Sequence, residues 1–81
     1  LGFYTQSEVN TSKGRLDCIL FAPKQIFIIE FKVDESAEKA LAQINEKGYA
    51  EPYRTDGRPI IKIGVNFSSE ERTIEGWKVE L

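Results

Sequence analysis

Ile26-Phe27-Ile28-Ile29-Glu30-Phe31-Lys32-Val33 is the stretch that decides how this chain folds. It is dense in β-branched and aromatic residues and reads as a strand. Alternate residues of a strand share a face. The face carrying Phe27, Ile29, Phe31 and Val33 is wholly apolar. The other face begins apolar at Ile26 and Ile28, then turns charged at Glu30 and Lys32. A strand apolar on both faces is normally a buried central one. Charges at its end carry a desolvation cost unless they pair or meet a metal.

The segment just before it repeats the situation. Gly14-Arg15-Leu16-Asp17-Cys18-Ile19-Leu20-Phe21 sets one acid, Asp17, in an otherwise apolar strand. Ala22-Pro23-Lys24-Gln25 is turn-like and too brief for a parallel crossover, so the two strands are expected as antiparallel neighbours. Asp17 then stands beside Glu30 and Lys32. Two carboxylates and an amine clustered there can hold a divalent metal and position a water next to it. The same three charges, with Arg15, also suit a plain cross-strand ion pair without chemistry.

The rest of the chain builds a small sheet around this pair. Phe3–Val9 reads as a first strand, and Asn10–Gly14 as a polar turn ending in Gly. Ser36 is a good N-cap, with Asp34, Glu35 and Glu38 suiting the positive end of a helix. Ala37, Ala40, Leu41 and Ile44 recur at helical spacing, and Gly48 is a natural stop. Gln43 falls on the flank of that apolar stripe, where it can lean over the sheet towards Lys32. Pro52 to Pro59 is a loop with a tight turn at Asp56-Gly57. Ile60–Phe67 is another apolar strand, expected parallel to the Glu30 strand through a right-handed crossover. Gly76–Leu81 alternates, and Trp77, Val79 and Leu81 are expected to face in from an edge strand. The expectation is α/β: a mixed sheet of about five strands with one crossover helix, in a single domain spanning residues 1–81.

Composition removes several chemistries. The chain has 81 residues, no His and one Cys. Without His there is no Ser-His-Asp or Cys-His arrangement. Zinc is disfavoured for the same reason, since alternation places Cys18 off the Asp17 face. Hard oxygen ligands suit Mg²⁺ or Mn²⁺ instead. No phosphate-binding Gly-x-x-x-x-Gly-Lys-Ser/Thr loop is present. A lone Cys cannot form an internal disulfide, which fits a reducing, cytoplasmic compartment. No stretch is long enough to span a membrane as a helix. The net charge of −2 is not the footprint of a strong nucleic-acid binder, although Lys13, Arg15, Arg54 and Arg58 are available for phosphates. The chain opens on Leu1-Gly2-Phe3-Tyr4 rather than Met, which reads as a piece of something longer.

Asp17 followed by Glu30-Phe31-Lys32 resembles the motif of the PD-(D/E)XK nuclease superfamily, in which an Asp ends one strand and an acid-x-Lys follows on the next. Val33–Ile44, Lys47–Ala50 and Gly64–Ser68 look like one branch of it, the nuclease-like domain at the C-terminal end of AAA-ATPase-like proteins of bacteria and archaea. The resemblance implies a restriction-endonuclease-like core and a metal-dependent nuclease acting on nucleic acid. It implies Asp17, Glu30 and the Phe31 carbonyl as metal ligands. Lys32 would orient the attacking water and stabilise charge on the phosphate, and Gln43 would face the site. Tyr49 falls near a Tyr that follows this Gln in related branches, and Glu8 is a candidate extra acid. It also implies an ATPase module in the same parent chain. One expected departure is the lack of the helix that normally precedes the first strand, so one sheet face is expected to be uncovered and to drive homodimerisation. Two functional classes stay open. One is a metal-dependent nuclease, and the other is a nuclease-derived interaction or regulatory domain that no longer cuts.

Overall fold

The computed structural model describes the backbone of residues 4–11 and 14–81, and the side chains of residues 5, 6 and 17–81. Five strands form one sheet in the order β1-β2-β3-β4-β5: β1 is Tyr4–Thr11, β2 Gly14–Phe21, β3 Ile26–Val33, β4 Ile60–Ser68 and β5 Thr73–Glu80. One helix, α1 (Ala37–Glu46), and a 3₁₀ turn at Glu51–Tyr53 lie between β3 and β4. Neighbours pair antiparallel except β3 and β4, which are parallel. This is the mixed sheet with one crossover helix expected of a restriction-endonuclease-like fold.

Local chemistry explains the elements. Ser36 caps α1, its hydroxyl accepting from Lys39 N–H at 3.1 Å. Gly48, at φ 64°, ends the helix in the left-handed conformation that glycine adopts without strain. Ala37, Ala40 and Ile44 are buried against the sheet. The helix sits close because β4 carries Gly64 beneath it. A Cβ there would fall 2.6 Å from Leu41 N and closer still to Ala37 O.

The helix covers the face of β3 that holds Ile26, Ile28 and Glu30, all three buried. The core is Ile19, Ile26, Ile28, Ile44, Tyr49 and Ala50. The opposite, purely apolar face is uncovered among the described residues, with Phe31 43% and Val33 57% exposed. Register carries this face across β4 and β5, because Phe31 pairs with Val65 and Val65 with Trp77. The expectation that Trp77, Val79 and Leu81 face in is therefore corrected. They are 68%, 51% and 91% exposed. Alternation on an edge strand shows that residues share a face, not which face is covered.

Candidate active site

The β2–β3 register runs from Phe21↔Ile26 to Cys18↔Ile29. At the next residue the Asp17 side chain enters the junction. Its Oδ2 accepts the Phe31 backbone N–H at 2.8 Å. In an extended strand a residue's N–H and C=O point to the same neighbour, so the Phe31 carbonyl faces the Asp17 side as well. Glu30 stands next to it, with Oε1 3.4 Å from Asp17 N. Gln43 reaches down from α1 and donates Nε2 to Glu30 Oε2 at 2.7 Å. The two acids and the amide are thus in direct contact.

Glu30 is only 4% exposed. Burial, and then the Asp17 carboxylate beside it, raise its pKa above the ordinary glutamate range. The Asp17 N–H and the Lys32 charge pull in the other direction. Two carboxylates side by side, one of them buried, form an arrangement that a cation would relieve. Among the described residues no cluster of three or more His, Cys, Asp or Glu side chains gathers, so the protein donors here are two carboxylates and a main-chain carbonyl. All are hard oxygen donors and fit Mg²⁺ or Mn²⁺ in type.

Lys32 lies two residues beyond Glu30 on the same face, half-buried. With Glu35, Lys39, Gln43, Glu46 and Lys47 it lines a shallow depression of about 280 Å³ along the flank of α1. Among the described residues it makes no ion pair and no side-chain hydrogen bond. The site sits at the C-terminal ends of the parallel pair β3 and β4, where open α/β sheets commonly place their ligands.

Other candidates fall elsewhere. Tyr49 is 1% exposed and packs in the core, so it is not a surface group of the site. Arg54 is held by Glu51 at 2.7 Å. Arg58 clasps Asp56, donates to Ala22 O and lies over the Phe21 ring. Both precede β4 and so belong to the end of the sheet away from Glu30. Cys18 is half-buried on the outer face, its thiol pushed up by burial and by Asp17. The side chains of Glu8 and Arg15, and Lys13 entirely, lie outside the described residues. The contact of Asp17 with the Phe31 N–H was not legible from the sequence, since nothing in it says where a ladder opens.

A family model described as the PD-(D/E)XK nuclease superfamily matches residues 1–77. The chain belongs to the PD-(D/E)XK nuclease superfamily. Members of this superfamily generally use divalent metal ions, in keeping with the donor set just described. The chain is also similar to an uncharacterized protein in the vnfD 5′ region of Azotobacter chroococcum mcd 1, 42% identical over 82 residues. The match covers 99% of this chain and 16% of that relative, so the chain spans about a sixth of its length. No solved structure matches it. Among the described residues no helix is long and apolar enough to cross a membrane.

Proposed function

We propose that this domain hydrolyses phosphodiester bonds of nucleic acid with the help of Mg²⁺ or Mn²⁺. The observation that carries this reading is the contact of Asp17 with Glu30 at the open end of the β2–β3 ladder, under Gln43 and beside a free Lys32. Asp17, Glu30 and the Phe31 carbonyl would hold the ion. A bound divalent ion supplies an acidified water and charge compensation at the phosphate. The chain's own residues do the rest. Asp17 is oriented by the Phe31 N–H, and Gln43 fixes the Glu30 carboxylate while keeping bulk water from that oxygen. Lys32 brings three N–H donors and a positive charge to orient the attacking water and offset charge on the phosphate.

A second reading is an inactive, nuclease-derived interaction domain attached to an AAA-type ATPase. It is favoured by the net charge of −2 and by the small share of its longer relative that the chain spans. Titration calorimetry with Mn²⁺ on the chain and on Asp17→Asn tests the first reading. Binding that is lost in the variant, with metal-dependent cleavage of a labelled oligonucleotide that Lys32→Ala abolishes, is the expected result. Absence of binding in both proteins favours the second.

A further inference from the structure

Asn66 interrupts the apolar run of β4 and pairs in register with Lys32 on β3. Gly64, two residues earlier, lies under α1, so Asn66 points to the same covered face, as does Lys32. The Asn66 amide is anchored at one end: Nδ2 donates to Glu75 Oε1 at 3.1 Å. This fixes which end of the amide turns away from Glu75. That end, Oδ1, is buried and has no hydrogen-bond partner, alone among the buried side-chain polar atoms of the described residues. A buried acceptor left unpaired is destabilising, so a donor within reach is drawn to it.

The nearby ammonium groups are otherwise engaged. Lys62 bonds Asn45 and Glu80, Lys39 meets Glu35, and Lys78 meets Glu38. Lys32 is the neighbour with all three donors unassigned. Paired strands lie about 4.8 Å apart, well within the span of a lysine side chain.

We infer that Asn66 is a positioning residue for Lys32: a rotation of the lysine side chain, unbonded among the described residues, brings one ammonium N–H to Oδ1 and aims the other two at the water and the phosphate. Glu75 sets the amide, and the amide sets the lysine. The inference rests on the reading that Lys32 acts on a phosphodiester, but the contact is testable without it.

The first arm uses no metal and no nucleic acid. The 81-residue chain is acetylated at low dose with an N-hydroxysuccinimide ester, and Lys32 modification is followed by mass spectrometry against Lys24. Asn66→Ala should label Lys32 roughly fivefold faster, the factor corresponding to one hydrogen bond of about 1 kcal/mol. The double variant Asn66→Asp with Glu75→Gln exchanges donor and acceptor ends while keeping an oxygen for Lys32, and should return to the slow rate. Equal rates in the original chain and Asn66→Ala would overturn the contact, and so would fast labelling in a folded double variant.

The second arm measures cleavage of an oligonucleotide with Mn²⁺. Asn66→Ala should lower kcat about fivefold with KM unchanged, and the double variant should restore it. A fall in KM-dependent binding alone would overturn the positioning role. Cleavage equal in the original chain and Lys32→Ala would overturn the phosphodiesterase reading and the role with it, while the labelling result would still decide the contact.

Discussion

Asp17 Oδ2 accepts the backbone N–H of Phe31 at 2.8 Å, so one carboxylate both holds the open end of the β2–β3 ladder and fronts the candidate metal site. The two roles separate by substitution. Asn keeps an oxygen for the Phe31 N–H and loses the charge, whereas Ala loses both. Asp17→Asn should therefore abolish Mn²⁺ binding and leave the melting temperature of the metal-free chain unchanged or raised, because repulsion with Glu30 is removed. Asp17→Ala should lose binding and also about 1 kcal/mol of stability. Calorimetric melting of the two variants checks this. Equal destabilisation by both would mean that the charge, not the hydrogen bond, supports the junction.

Gln43 supplies the closest donor to the buried Glu30 carboxylate. A hydrogen bond to a charged group contributes about 1.5–3 kcal/mol. Gln43→Ala should accordingly lower the melting temperature at neutral pH by roughly 6–24 °C for a domain of this size. The loss should shrink as pH falls and Glu30 takes up its proton, because the neutral acid needs the donor less. A pH-independent loss would place the effect in helix packing instead.

The pH dependence of Glu30 itself has a definite sign. Burial first, and Asp17 second, raise its pKa in the folded chain. The folded state then holds this proton more tightly than the unfolded one. The contribution is most favourable below the unfolded pKa and is lost as pH rises through the raised folded value. Asp34, held below its usual range by Ser69, acts in the opposite sense. Comparison with Glu30→Gln cancels it. The metal-free variant should gain melting temperature over the original chain as pH goes from about 4 to 7. Parallel curves would show that Glu30 is not titrating abnormally.

The sheet, its parallel β3–β4 pair and the helix were legible because periods of 2 and 3.6 were clean in Ile26–Val33, Ile60–Phe67 and Ala37–Ile44. The adjacency of Asp17 and Glu30 followed from a turn too short for a crossover. What stayed hidden was tertiary. β3 is apolar on both faces, so periodicity could not say which one α1 covers. The helix covers the face that carries Glu30, because Ile26 and Ile28 need burial there and Gln43 satisfies the acid. Asn66 left one trace, a polar residue in an apolar strand, but its meaning depends on pairing with Lys32.

Gly64 is what lets Gln43 reach Glu30. An added Cβ would meet the α1 backbone at Ala37 and Leu41, which cannot step aside as a flexible side chain can. Gly64→Ala should cost about 1–3 kcal/mol or more of overpacking and tilt α1 away from β4. Its signature beyond lost stability should be faster exchange of the Gln43 side-chain amide protons. Retained stability and slow exchange would show that the helix already has room.

The outer face carries only uncharged side chains at alternate positions of β3 and β4, from Phe27 to Val33 and Ile61 to Phe67, and continues to Trp77 and Val79. Two copies can bury it together without stranding a charge, and contiguous apolar patches of this kind mark interaction surfaces. The expected outcome is concentration-dependent self-association in sedimentation equilibrium. Trp77→Lys should weaken it, because one ammonium per copy would then have to be desolvated, while an exposed edge position leaves the fold intact. A monomer at the highest concentration would show that this face needs no second copy, and unchanged association of Trp77→Lys would move the contact away from β5.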